Sequence, residues 1–223
     1  MKPQPPKQIK VAVLIYPGVE LVDMNGPIDV FLHANRYYAD GFDKPRYKVY
    51  TVAETNEPVL SECKAVTIMP GYSIKSCPEP DIVVIPGRIE FSEKATSIPA
   101  DQPIIDWIAE MGKKGKVIMS VCVGLYSLAP TGLLDGKKAT THYLSIGLAV
   151  GKWPKIQFER NVRYVADGKF VTTGGVTSGI DGALYLVEQN DGAIIAQQVA
   201  DIMVYNRDAP LPQWTLLPPY DTI

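Results

Sequence analysis

The chain of 223 residues is poor in the residues that build metal centres and cross-linked scaffolds. It has three cysteines, Cys63, Cys77 and Cys122, and two histidines, His33 and His142. No two cysteines form a CxxC pair, and three is an odd number. Neither a disulfide framework nor a structural zinc site is expected, and no metal or other cofactor is needed to explain the composition. Charge of one sign is also missing: 22 Lys and Arg stand against 24 Asp and Glu, a net of −2. Nucleic-acid-binding domains are usually basic, so no nucleic-acid partner is expected. No apolar run reaches the roughly 18 residues of a membrane span, so no membrane association is expected either. The opening MKPQPPKQIK is basic and Pro-rich but has no apolar core of a signal peptide. With the unpaired cysteines, that points to a cytoplasmic protein.

Hydrophobic residues make up 46 % of the chain, enough for a substantial core. Residues 9–16 (IKVAVLIY), 81–85 (DIVVI) and 116–121 (KVIMSV) are short, continuous, β-branched runs, the pattern of strands buried on both faces of a parallel sheet. Residues 47–53 (YKVYTVA) alternate and read as a further strand, and 65–70 as a short extended piece. Residues 157–165 and 169–173 flank Asp167-Gly168, a hairpin signal. Helices are expected over 27–38, opened by Pro27, and over 101–114, with Asp101 as N-cap and Pro103 in the first turn. Two more are expected over 179–187 and 193–205. The resulting alternation implies an α/β fold with a largely parallel sheet and helices on both faces. No linker or repeat divides it, so the expected organisation is an arm at 1–8, one domain at 9–205 and a Pro-rich tail at 206–223.

In such folds chemistry sits beyond the carboxyl ends of the strands, here residues 16–23, 86–90 and 120–124. Ser120-Val121-Cys122-Val123-Gly124 follows a buried strand and opens a helix, with small residues two before and two after the cysteine. That is the pattern of a nucleophile elbow, where strand and helix approach closely and one side chain is lifted off the sheet. A thiol at a helix N-terminus is expected to gain thiolate character. Asp23, between Val22 and Met24, is either a turn residue or a carboxyl group that holds and delivers a proton. The turn Pro86-Gly87-Arg88 offers backbone N–H groups which, with that of Val123, would form an oxyanion hole. His142, 20 residues after Cys122, is a candidate base for the thiol or a structural histidine. His33 reads as structural.

Four segments carry a resemblance: VAVLIYPGVELVDMNGPIDVF, PDIVVIPG, VIMSVCVGLYSLAPTGLLDGKKATTHY and FVTTGGVTSGIDGAL. Together they resemble the DJ-1/PfpI superfamily over about residues 9–205, most closely its isonitrile hydratase branch and the sensor domains of AraC-type regulators. The resemblance implies a flavodoxin-like fold, a homodimer and a cofactor-free site. In that site Cys122 is the nucleophile, Asp23 the thiol-contacting acid and His142 a neighbour of the thiol. It implies addition of the thiolate to an isonitrile and release of an N-substituted formamide. Alternatives are a glyoxalase or deglycase acting on 2-oxoaldehydes, or a non-enzymatic module that senses a ligand or oxidant. Two positions depart from the hydratase pattern. Val123 stands where those enzymes carry Thr, and Arg88 stands where the family has a second Gly. Arg88 is expected either at the pocket mouth, selecting an anionic substrate, or on the surface packing against its loop.

Overall fold

The computed structural model describes residues 2, 6–41, 43–88 and 101–211. Most of the arm, the tail from residue 212, and residues 89 and 90 of the second strand-end loop lie outside the described residues.

The apolar run near the N-terminus becomes β1 (Ile9–Leu14), and Val11 to Ile15 are fully buried. β1 lies between two parallel neighbours, β2 (Tyr47–Ala53) and β6 (Ile82–Ile85). Burial on both faces is what a run without polar alternation requires. The short strands β3 (Val59–Leu60) and β4 (Thr67–Ile68) pair antiparallel outside the main sheet, and β5 (Tyr72–Ser73) closes one of its edges. On the other side of β1, β6 pairs with β7 (Val117–Val121), and β7 with β11 (Phe170–Thr173), both parallel. β8 (Lys138–Ala139) and β9 (Gln157–Phe158) form a small parallel pair, and β10 (Tyr164–Asp167) closes the far edge antiparallel to β11. The seven-stranded order is β10-β11-β7-β6-β1-β2-β5. The fold is therefore a mostly parallel α/β sheet in one domain.

Helices α1 (Leu21–Asn35), α5 (Ser178–Asp191) and α6 (Ala193–Ile202) pack together, while α2 (Gln102–Lys113) and α3 (Leu125–Leu128) pack against each other beside β6 and β7. A short α4 (Ile146–Lys152) follows His142. Glycines set the close contact of α1 with α5. A Cβ at Gly26 would lie 3.0 Å from Ile180 Cγ1, and one at Gly179 would lie 3.4 Å from Pro27 Cγ.

Three sequence expectations shift. The first helix begins at Leu21 rather than Pro27, because the Glu20 side chain caps it and Pro27 is tolerated inside. Asp23 therefore stands in a first helical turn, not in a loop. Residues 157–165 are not one strand: the segment splits between β9 and β10, and Asn161 takes a left-handed φ of 56° in between. Asp101 makes no side-chain cap for α2, because its carboxylate is drawn to Arg88, 2.5 Å away.

Candidate active site

The chain order places the switch point of the sheet between β1 and β6, and the carboxyl ends of β1, β6 and β7 supply the candidate site side by side. After β1 the chain is tied to the loop that follows β6. The Glu20 N–H donates to the Gly87 carbonyl at 3.0 Å. The Gly87 N–H donates back to Asp23 Oδ2 at 2.7 Å. The open N–H groups of the first turn of α1 are met by two other carboxylates. Glu20 Oε2 accepts from the Asp23 N–H and Glu62 Oε2 from the Leu21 N–H, both at 2.9 Å. Such partners are what a helix start needs, since its first N–H groups have none within the helix.

After β7 the chain turns sharply. Cys122 has φ 55°, a left-handed conformation that side chains other than glycine adopt at a cost of about 1 kcal/mol or more. Neighbours hold it there. Thr141 Oγ1 donates to the Cys122 carbonyl at 2.8 Å. Gly124 passes so close to the end of β6 that a Cβ would lie 2.1 Å from the Ile85 carbonyl oxygen. The glycine two residues after the cysteine is thus a steric requirement. Gly87 completes the cluster. A Cβ there would lie 2.6 Å from Asp23 Oδ2, 3.0 Å from Val123 Cγ2 and 3.3 Å from Cys122 Cβ. The acid, the cysteine and the valine all crowd the space that a side chain at position 87 would take.

Asp23 is fully buried. Burial first, then the neighbouring Glu20 carboxylate, push its carboxyl up to about 9, against the opposing pull of the Gly87 N–H. The N-terminus of α1 favours the ionised form, but desolvation is the larger effect. Oδ2 is occupied as an acceptor, and Oδ1 has no hydrogen-bond partner among the described residues. Burial and the nearby Asp23 also push the Cys122 thiol well above its ordinary value, while the Val123 N–H pulls the other way. The thiolate expected from a helix dipole is not favoured at rest, since α3 has only four residues and desolvation outweighs it. At neutral pH the site holds a neutral acid beside a neutral thiol.

The remaining expected residues fall in different places. The Gly87 N–H is committed to Asp23 and is not an unoccupied oxyanion donor. Arg88 is not on the surface. Its side chain is 4 % exposed, pairs with Asp101 and lies over the Tyr16 ring at 4.4 Å. Tyr16 Oη in turn donates to the Pro86 carbonyl. The cation thus props the turn from inside. His142 is not hydrogen-bonded to Cys122 among the described residues. Its Nδ1 accepts from the Leu144 N–H at 3.3 Å, and its imidazole lines a neighbouring cavity. Burial lowers its pKa, so it is neutral at neutral pH. His33, expected to be structural, lies on α1, where its Nδ1 meets Arg36 Nη1 at 3.3 Å. Sequence reasoning missed Glu20, Glu62 and Thr141. Glu20 and Thr141 had signals, the i,i+3 acid pair Glu20/Asp23 and the hydroxyl next to His142. Glu62 had none, because it reaches α1 from 41 residues away. Among the described residues no group of three His, Cys, Asp or Glu could hold a metal ion, and no helix is long and apolar enough to cross a membrane.

A mostly parallel sheet with a cysteine on a left-handed elbow after β7 and a buried acid after β1, with β6 between the two strands, defines the class of α/β protein. The chain belongs to the DJ-1/PfpI family, which it matches over residues 9–189. It is 30 % identical to a Pseudomonas putida protein named isonitrile hydratase, over 92 % of this chain and 80 % of that one. It is 25 % identical to the HTH-type transcriptional regulator CdhR of Pseudomonas aeruginosa, over 88 % of this chain but 55 % of the regulator. A crystal structure of a ThiJ/PfpI family protein from Pseudomonas syringae superposes with a TM-score of 0.73 at 29 % identity, covering 92 % of this chain and 78 % of that one.

Proposed function

We propose that the protein is a cysteine-dependent lyase that hydrates isonitriles to N-substituted formamides. The observation that carries this reading is the buried Asp23 packed against Cys122 across Gly87, with burial raising the pKa of both groups. The terminal carbon of an isonitrile holds a lone pair and takes up a proton as a nucleophile adds to it. A protonated acid next to a thiol suits that demand.

The steps balance as follows. Asp23 gives its proton to the isonitrile carbon while Cys122 Sγ bonds to that carbon, and the thiol proton passes to the Asp23 carboxylate. The product is a thioimidate, Cys–S–CH=N–R. Water adds its oxygen to the carbon and one proton to the nitrogen. The C–S bond then breaks, the remaining hydroxyl proton returns to sulfur, and R–NH–CHO leaves. Asp23 ends protonated, as it began. His142 has no step, which favours this reading over 2-oxoaldehyde chemistry built on an imidazole base.

Further elements of the proposal are a homodimer and a cytoplasmic location, with residues 9–205 as the functional unit between an arm and a tail. The deciding experiment incubates the protein with an aryl isonitrile and follows formamide by chromatography, beside Cys122→Ala and Asp23→Asn. Turnover in the wild type and its loss in both variants is expected. A wild type that makes no formamide overturns the reading.

A further inference from the structure

Beside the elbow lies a cavity of about 520 Å³ that the steps above do not use. It adjoins the elbow through Thr141, and Cys122 itself is not among its lining residues. Thr141, which donates to the Cys122 carbonyl, and His142 form one wall, and the chain that opens α5 forms another. The charges around it are one-sided. Arg160 and Arg163 line it, and among the described residues no Asp or Glu side chain does. Arg163 is already neutralised, with Nη1 3.1 Å from Asp181 Oδ2 and Nη2 donating to the Ala209 carbonyl at 2.6 Å. His142 adds no charge at neutral pH, because burial lowers its pKa. The carboxylate next to Arg160 along the chain, Glu159, is held by Lys138 at 2.8 Å. Among the described residues no ion pair or hydrogen bond engages the Arg160 guanidinium.

The cavity therefore offers one uncompensated cation, with hydroxyls around it and the reacting thiol behind one wall. We propose that it receives a carboxylate at the far end of the substrate, and that Arg160 is the residue that selects it. A guanidinium pairs with a carboxylate through two parallel hydrogen bonds. A net charge of one matches a carboxylate better than a dianionic phosphate. The inference rests on the isonitrile reading for the identity of the reacting end, so the substrate class becomes isonitriles that carry a carboxylate. The cation that selects charge is then Arg160 and not Arg88, whose charge is spent on Asp101.

The test compares para-isocyanobenzoate with its methyl ester as substrates of the wild type and of Arg160→Gln. Binding of para-formamidobenzoate, the product, is followed by calorimetry as a measurement independent of turnover. Arg160 is exposed, and an exposed charge pair contributes up to about 1 kcal/mol, so a preference of up to roughly fivefold in kcat/KM for the acid is expected. It should fall to near parity in Arg160→Gln, with para-formamidobenzoate binding weakened to a similar degree. Equal rates on acid and ester in the wild type, or a preference that survives Arg160→Gln, overturn the selection role and leave the hydratase reading standing. Arg160-dependent binding without any turnover supports the carboxylate site and overturns the hydratase reading. Neither binding nor turnover overturns both.

Discussion

Asp23 and Gly87 meet through one hydrogen bond, from the Gly87 N–H to Asp23 Oδ2 at 2.7 Å. That bond fixes which oxygen of the acid is an acceptor. The same glycine has no room for a side chain: its missing Cβ would stand 2.6 Å from that oxygen. Position 87 thus sets both the orientation of the acid and its distance from the cysteine.

Gly87→Ala follows directly. The added methyl group must displace Asp23, Val123 or Cys122, and overpacking of this kind costs about 1–3 kcal/mol. Reduced stability in urea titration and a larger loss of formamide production are expected. Full activity in this variant would show that the acid and thiol do not need the observed spacing.

The buried Asp23 makes stability depend on pH, and the sign can be worked out. Its carboxyl rises from about 3.8 in the unfolded chain to about 9 in the folded one. Between those values the native state binds the extra proton, so stability falls as pH rises through the window. The slope is at most about 1.4 kcal/mol per pH unit. Asp23→Asn should flatten this decline between pH 5 and 9, to be read from urea midpoints at each pH. A slope unchanged by the substitution would mean that Asp23 is ionised in the native state.

Glu20→Gln keeps an oxygen to accept the Asp23 N–H but removes the negative charge that helps hold Asp23 protonated. Asp23 should then ionise at lower pH. As a proton donor it works only while protonated, so the alkaline limb of the kcat/KM profile should move below the wild-type limb near pH 9. A merely structural role for Glu20 would lower activity at every pH and leave the limb in place.

Arg88→Gln separates support from selection. Arg88 is buried against Tyr16, whereas Asp101 is partly exposed, so the loss is less than for a fully buried pair, about 1–3 kcal/mol. A lowered melting temperature is expected, with the preference for acid over ester intact. Loss of that preference would return the selecting role to position 88.

Much of the fold was legible because buried parallel strands need unbroken apolar runs, and residues 9–16, 81–85 and 116–121 have them. The elbow was legible for a similar reason: Gly124 has to pass the backbone of Ile85. The start of α1 was misplaced because its cap depends on Glu20 and on Glu62, which reaches Leu21 across 41 residues. A local signal at Pro27 could not report that.

The sequence by itself determined where the buried strands of a largely parallel sheet fall and pointed to Cys122 on an elbow, since these follow from local patterning and from steric needs along the chain, while Asp23 entered as the candidate acid through the family resemblance. Only the tertiary structure decided their protonation, the fate of Arg88 and the place of His142. Protonation depends on how completely Asp23 and Cys122 are removed from water. The fate of Arg88 depends on whether a carboxylate such as Asp101 lies within reach. His142 lines a cavity beside the elbow, while its neighbour Thr141 makes the bond to the Cys122 carbonyl.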